Sequence, residues 1–337
     1  MKSNYTIIDL QLFAEINTQT TTLVAEGNNL SAENKTYYDM TLIDKASPNL
    51  VHDQFGQKRP IPKNGGKTIE FRSFSALPTK VEKLTEGVTP DGGKLDVSTI
   101  TATVEQYGYY VVQSDILELT AIDNTIVETV KLLGNQAGEV LDCVVRDALV
   151  ANVRNIMYPT KSDKTIPNEM SEMDGTCVMS VDTVERVVTA LQSNNAPKIN
   201  GDYVAIVHPH VAYDLRRDPE WIDAHKYASP EEIYNGEIGK LAGVRFVVSS
   251  VAHIDESEEN KVNGKPLYST FFIGEGAYGV TEVTGGGLET IIKQKGSAGT
   301  ADPLDQRSSI GWKALKTAEV LVPEYIIKVM SVTGYNA

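Results

Sequence analysis

Hydrophobic and polar positions alternate with period two over two stretches early in the chain. Between Thr68 and Phe74, Ile69 and Phe71 alternate with Glu70 and Arg72. From Val97 to Val112 a longer run puts Thr99, Thr101, Thr103, Tyr107, Tyr109 and Val111 on one face and Ile100, Ala102 and Val104 on the other. Period two marks a strand, because successive side chains leave a pleated backbone on opposite faces. At ~3.3 Å per residue the second run reaches roughly 50 Å if unbroken. Pro78, Gly87, Pro90, Gly92 and Gly93 lie in the segment from Pro78 to Asp96, so the two runs are expected to form an antiparallel hairpin with a long tip. An isolated two-stranded ribbon is marginal in water. Either it lies on another subunit or it belongs to an ordinary sheet of the same chain, and the pattern alone leaves both open.

The period then changes to three and four. Asp123 or Asn124 is placed to cap a helix running to about Asn155, with Ile126, Val127, Val130, Leu133, Ala137, Val140, Leu141, Val144, Ala148 and Leu149 at helical steps. At ~1.5 Å rise per residue this is a rod of about 45 Å. Gly134 and Gly138 weaken it locally, and the expected compensation is close packing of another backbone.

A polar linker, Pro159 to Gly175, leads to alternating helices and strands, a compact mixed domain from about Thr176 to Gly299. Val184, Val187, Val188 and Leu191 form the inner face of a helix begun by Ser180 and ended near Asn195 and Pro197, and Tyr203 to Val207 reads as a buried strand. Ser229, Pro230 and Glu232 make a capping box, with Asn235 and Gly236 stopping that helix. Two last strands, Ser309 to Val322 and Glu324 to Val332, split by Pro323, read as a C-terminal hairpin; Ile310, Trp312, Ala314, Ala318 and Val320 share a face of the first. At the other end, Asn17 to Pro60 is polar and broken by Gly27, Pro48 and Pro60, which fits an arm laid on a surface or a disordered tail. No internal repeat at a fixed period is present.

Composition narrows the function classes. A length of 337 residues allows about two globular units at ~150 residues each. Cys143 and Cys177 are too few for a disulfide framework or a structural metal site. Met1 to Leu12 has no small-residue cleavage site after it, so no signal peptide is expected, and nowhere do ~18 apolar residues run together as a membrane span requires. Acidic residues outnumber basic ones 45 to 31, a net charge of -14. Such a field repels polyphosphate and argues against tight sequence-independent nucleic-acid binding, although solubility explains the acidity equally well.

Catalytic motifs fail on context. Gly274-Glu275-Gly276-Ala277-Tyr278-Gly279 matches a dinucleotide fingerprint, but Val280-Thr281-Glu282-Val283 after it is strand-like, so no helix N-terminus would hold a pyrophosphate. Gly65-Gly66-Lys67-Thr68 looks like the end of a phosphate loop, yet Ile61 stands where the earlier glycine belongs and a strand follows. His208, His210 and Asp214 are residue types that bind zinc; a strand end turning into a helix explains them better, since no fourth ligand is in evidence. The acidic pairs at Glu231-Glu232 and Glu256 to Glu259 read as solvated helix starts and loops.

Several short stretches carry a resemblance: Gly66-Lys67-Thr68-Ile69-Glu70-Phe71-Arg72, Leu84-Thr85-Glu86-Gly87-Val88-Thr89-Pro90, Gln106-Tyr107-Gly108, His208-Pro209, Asp214-Leu215-Arg216, Asp218-Pro219 with Trp221, Gly236-Glu237-Ile238-Gly239, Gly243-Val244-Arg245-Phe246, and Asp305-Gln306-Arg307 with Gly311-Trp312-Lys313. Through them the chain resembles tailed-bacteriophage major capsid proteins of the N4-like type. That resemblance implies an α+β fold, the tailed-phage major capsid fold shared with encapsulins. It would comprise an N-terminal arm over residues 1–60, an extended-loop hairpin over 61–113, a long spine helix with peripheral domain over 114–175, an axial domain over 176–304 and C-terminal strands of the peripheral domain over 305–337. It implies that arm and hairpin clasp neighbouring protomers, with Phe71, Arg72, Leu84, Glu86, Val88, Tyr107 and Tyr109 as intersubunit contacts. The implied partners are copies of the same chain in hexamers and pentamers, a portal protein, scaffolding and decoration proteins, and packaged DNA enclosed without specific binding, with no membrane. The implied place is the virion, assembled in the host cytoplasm. No catalytic residue, cofactor or metal is expected. The rival readings are an encapsulin-like nanocompartment shell and a hydrolase using His208, His210 and Asp214.

Overall fold

A computed structural model describes residues 50–62, 66–74, 83, 94–95, 97–120, 125–225, 239–281, 287–297 and 302–335. In chain order the elements are β1 (Gln57–Lys58), β2 (Thr68–Phe74), β3 (Val97–Thr103), β4 (Glu105–Ser114), α1 (Asp115–Thr120), α2 (Thr125–Asn152), β5 (Ile156–Met157), α3 (Val181–Ser193), β6 (Tyr203–Val207), α4 (Pro209–Arg217), α5 (Pro219–His225), β7 (Lys240–Leu241), β8 (Val244–Val248), β9 (Ile254–Asp255), β10 (Leu267–Ile273), β11 (Tyr278–Thr281), β12 (Glu289–Lys293), β13 (Arg307–Val320) and β14 (Ile326–Ser331).

Two sheets organise these elements. A seven-stranded mixed sheet runs β5-β14-β10-β6-β8-β7, with β9 paired to β10. A five-stranded sheet runs β1-β11-β13-β12, with β4 along β13. Strands β6, β10 and β14 are buried at every position, which is why they read as near-continuous apolar runs without alternation. One face of that sheet packs on α3, α4 and α5 through Val184, Leu191, Leu215, Trp221 and Phe272. Val145, Leu149 and Val153 of the long helix α2 and its exit pack against Ile206, Phe271 and Ile273 on the same sheet, together with Tyr278, Val280 and Ala318 of the other sheet. Closer to its start, α2 lays Val130, Leu133, Ala137 and Leu141 over Ile310, Trp312 and Ala314 of β13. The helix therefore spans both sheets with one apolar stripe, and Gly134 and Gly138 lie buried on it.

The local signals for α3 hold in detail. Ser180 is its N-cap and its hydroxyl accepts the Thr183 N–H at 3.4 Å, satisfying one of the donors a helix start leaves open. The capping box at Ser229 and the cap at Asp123 or Asn124 lie outside the described residues.

Two expectations are corrected. The strand from Val97 to Val112 is not one ribbon: it divides at Val104, whose N–H donates to the Lys67 carbonyl at 2.9 Å. Before that point β3 pairs with β2 in full register, and after it β4 pairs with β13 over Arg307↔Ser114 to Lys316↔Glu105. Only the first half is a hairpin ribbon; the second belongs to an ordinary sheet of the same chain. The C-terminal hairpin does not form either. β13 lies in the five-stranded sheet and β14 in the seven-stranded one, paired with β10 and β5. The 3-10 turn Pro323–Tyr325 redirects the chain between them, and Gly274 N–H donates to the Tyr325 carbonyl at 2.8 Å. Alternation shows that a segment is a strand, but not which strand it will pair with.

Candidate functional site

The residues singled out for catalysis are occupied with structural tasks. His208 caps α4: its Nδ1 accepts the His210 N–H at 3.2 Å, and Pro209 fills the first helical position. Burial, with His210 as a second cause, pushes its pKa down to about 4, so the ring stays neutral and free to accept. His210 Nδ1 bonds the Tyr268 hydroxyl at 2.8 Å, and its ring stacks on Tyr335 at 4.3 Å. Both Asp214 oxygens accept the Gly334 N–H at 3.2 Å. The trio thus ties residues 333–335 to α4, and among the described residues no group of His, Cys, Asp and Glu is arranged to hold a metal ion. The glycine fingerprint runs into β11 and the phosphate-loop remnant into β2, each a strand where a phosphate cradle needs a helix start. Cys143 and Cys177 are free thiols whose pKa values burial raises, which keeps them poor nucleophiles.

The contact candidates fall into three groups. Leu84, Glu86 and Val88 lie outside the described residues. Phe71 is turned inward, 4% exposed, and its ring fills the space where a Cβ at Gly279 would sit, 2.9 Å away. As a contact between protomers Phe71 is therefore corrected: it roots the β2–β3 ribbon in its own protomer. Arg72 beside it is exposed, with a loose 3.9 Å approach to Glu70. Tyr107 and Tyr109 stand on β4, the first half-buried against the α2 core and donating to Glu105 at 3.0 Å, the second 54% exposed.

Register assigns the two faces of the β12–β13–β4 unit. The rows Thr290–Trp312–Tyr109 and Ile292–Ile310–Val111 face α2. On the opposite face lie Glu289–Lys313–Gly108, Ile291–Gly311–Tyr110 and Lys293–Ser309–Val112. Tyr110 is 68% and Val112 50% exposed there, and a groove of about 360 Å³ runs over Gly108, Gly311, Ile291 and Tyr110. The glycines keep it open and flat: a Cβ at Gly311 would come within 2.7 Å of Tyr110 Cβ, and one at Gly108 within 2.7 Å of the Trp312 carbonyl oxygen. Among the described residues this face leaves Tyr110 and Val112 exposed beside the Lys313–Glu289 ion pair at 3.0 Å.

A family model described as phage capsid protein matches residues 97–329, a span holding α2 and most strands of both sheets. The chain belongs to the phage capsid protein family. It is a structural shell protein. Solved structures agree in fold: the capsid of cyanophage Pam1 superposes with a TM-score of 0.62 at 11% identity, over 99% of this chain and 100% of that one. The head of Helicobacter pylori bacteriophage KHP40 gives 0.61 at 14% identity, over 81% and 88%. A virus-like particle from Pyrococcus furiosus gives 0.51 at 12%, over 88% and 99%. No curated protein matches.

For this capsid protein, sequence reasoning missed one polar cluster. The segment read as the end of an arm is built into the core. His52 Nδ1 lies 2.6 Å from Asp142 Oδ2, the His52 N–H donates to Asp142 Oδ1 at 2.6 Å, and both residues are fully buried. Next to them Asp53 pairs with Lys316 at 2.5 Å, both 6% exposed at the side chain, and with Lys58 at 3.2 Å. Tyr278 donates to the His52 carbonyl. Residues 52–58 thus grip α2, β13 and β11 at the junction of the two sheets. A buried charged set adds little over apolar packing, but it fixes one register.

Proposed function

We propose that the chain is the major capsid protein of a tailed phage, of the N4-like type, closing with copies of itself into an icosahedral head shell around double-stranded DNA. The observation that carries this reading is the family match across 97–329, over an architecture in which one long helix braces a closed sheet and a half-bare one. Rings of six and five tile such a shell, because heterologous contacts between identical copies generate rings. The seven-stranded sheet with α3, α4 and α5 serves as the axial domain around each ring centre; α2 with β4, β12 and β13 serves as the peripheral domain; β2, β3 and the segment joining them reach to a neighbour. Arg72, Leu84, Glu86, Val88, Tyr107 and Tyr109 are the contacts assigned to that reach. The role is non-catalytic, the place is the virion after assembly in the host cytoplasm, and portal, scaffolding and decoration proteins complete the head. The net charge of -14 suits a wall that does not grip the DNA moved past it.

The likeness to the Pyrococcus furiosus particle supports a second reading, a cellular shell around a cargo protein. Negative-stain microscopy of the purified chain across a range of salt tests both, since screening relieves repulsion between acidic copies. Closed shells or rings of five and six are expected. Shells that hold a bound enzyme in place of DNA would favour the second reading, and a monomer at every salt concentration would count against both.

A further inference from the structure

Most of the strands that edge the two sheets are blunted. β1, β5 and β7 have two residues each. β12 has five and begins and ends on a charge, Glu289 and Lys293, the first paired with Lys313 at 3.0 Å. Short length and charge keep an edge from pairing with other chains. β4 has neither protection. It runs for ten residues, carries no charge and no proline from Gln106 to Ser114, and holds an unbroken register with β13, so no bulge turns it aside. β13 is its one ladder partner among the described residues. Alternate residues of an antiparallel strand send their N–H and C=O groups to opposite sides, so every second residue of β4 points its backbone groups off the sheet. Tyr109 stands on the α2 face and is still 54% exposed, which shows that the helix does not overhang this edge.

We propose that β4 pairs edge to edge with the β4 of a second copy, antiparallel across a two-fold axis, so that the five-stranded sheets of two protomers become one. The inference rests on the self-assembly stated above and deepens it by naming one contact. An antiparallel edge is complementary to itself: a two-fold rotation about an axis normal to the sheet lays its donors over the acceptors of an identical edge. The uncharged segment Gln106 to Ser114 pairs with itself in full when Tyr110 lies on the axis. Tyr110 then meets Tyr110 of the partner subunit on the outer face, Gly108 meets Val112 of the partner subunit beside it, and Tyr109 meets Val111 of the partner subunit on the α2 face. Aromatic and β-branched pairs of this kind stabilise neighbouring strands, and they cover the side chains that are most exposed on β4. Rings that close into a shell also meet one another across two-fold axes, where a self-complementary contact belongs.

The test is oxidative crosslinking of shells from two variants, Y110C and V112C, both at exposed positions of the same strand, with thermal melting of each unassembled protomer as the control for folding. On the axis the two Tyr110 Cα atoms stand about 4.5–5.5 Å apart, within reach of a disulfide. Val112 lies opposite Gly108 of the partner subunit and roughly 14 Å from its own counterpart, out of reach. Y110C should therefore form at least tenfold more crosslinked dimer than V112C, with mass mapping that joins the two substituted positions. Y110K sets two ammonium groups on the axis and should lower shell yield at least tenfold with its melting curve unchanged. Equal crosslinking of Y110C and V112C, or none in either, overturns the proposal, and so do normal shells from Y110K. If a variant protomer melts early, cryo-electron microscopy of wild-type shells decides: a β4 edge that meets solvent or any segment other than a second β4 overturns it. Soluble Y110C dimers joined at the substituted position, with no shells from the wild-type chain, would strike the reading of the chain as a shell protein and leave the edge contact standing.

Discussion

The two sheets of this capsid protein are finished to different degrees. In the seven-stranded sheet β6, β10 and β14 are buried along their whole lengths, with helices on both faces. In the five-stranded sheet α2 covers one face of β4, β12 and β13, and among the described residues the other face leaves Tyr110 and Val112 at 68% and 50% exposure. The first region has spent its apolar surface inside the protomer. The second leaves large apolar side chains in water beside the Lys313–Glu289 ion pair. A shell protein needs both a rigid body and surface left over to meet its neighbours.

The sharpest way to break this comparison is to damage the closed region. Phe272 is fully buried near the end of β10, with the Phe246 ring 6.3 Å away edge-on. Phe272→Ala should cost about 3–5 kcal/mol of protomer stability, from lost transfer energy and the cavity left behind. Urea unfolding of the unassembled chain would show it, and a loss below ~1 kcal/mol would mean that the closed region is far more loosely packed than its burial indicates.

A smaller effect lies at the seam between β6 and α4, where burial holds the His208 pKa at about 4 against an ordinary 6.5. Because the folded value is depressed, the unfolded chain binds the proton more readily between those two limits. Stability from this group is therefore fully present above pH 6.5 and declines as pH falls toward 4. His208→Asn keeps a capping acceptor without that titration. Urea midpoints at pH 7.5 and 5 should drop further for the wild type than for the variant; equal drops would place His208 in contact with water.

How much of this was legible follows from what periodicity encodes. Helix α3, its Ser180 cap, buried β6 and the long α2 were all readable, because each is fixed by residues within a turn or two of one another. Partner choice was not. The Val97-to-Val112 run alternates evenly through Val104, where the chain leaves β2 for β13, and that exchange depends on Arg307 to Lys316 far along the chain. Of the buried cluster one trace was present: the inward face of β13 read Ile310, Trp312, Ala314, Ala318 and Val320, with Lys316 interrupting it. A lysine on an apolar face announces a buried acid, but nothing local identifies Asp53, which reaches it at 2.5 Å. Alternation set Phe71 opposite Arg72, and Phe71 packs within the protomer; the rows that leave Tyr110 and Val112 bare lie on the face opposite Tyr107 and Tyr109.

The smallest effect on folding is the most informative about the open face. Tyr110 and Val112 sit on the outer rows of β4, opposite Gly311 and Ser309 of β13. Changing both to threonine leaves β-branched residues, which suit a strand, and removes most of the apolar area they present. Because neither side chain is buried in the protomer, unfolding free energy should change by no more than about 0.5 kcal/mol. Shell yield should nevertheless fall, since the area deleted is the area a neighbour would cover. A variant that loses several kcal/mol in the unassembled state would show that the chain closes this face by itself, and the contrast between the two sheets would disappear. Unchanged stability with unchanged assembly would leave the face bare in the shell as well.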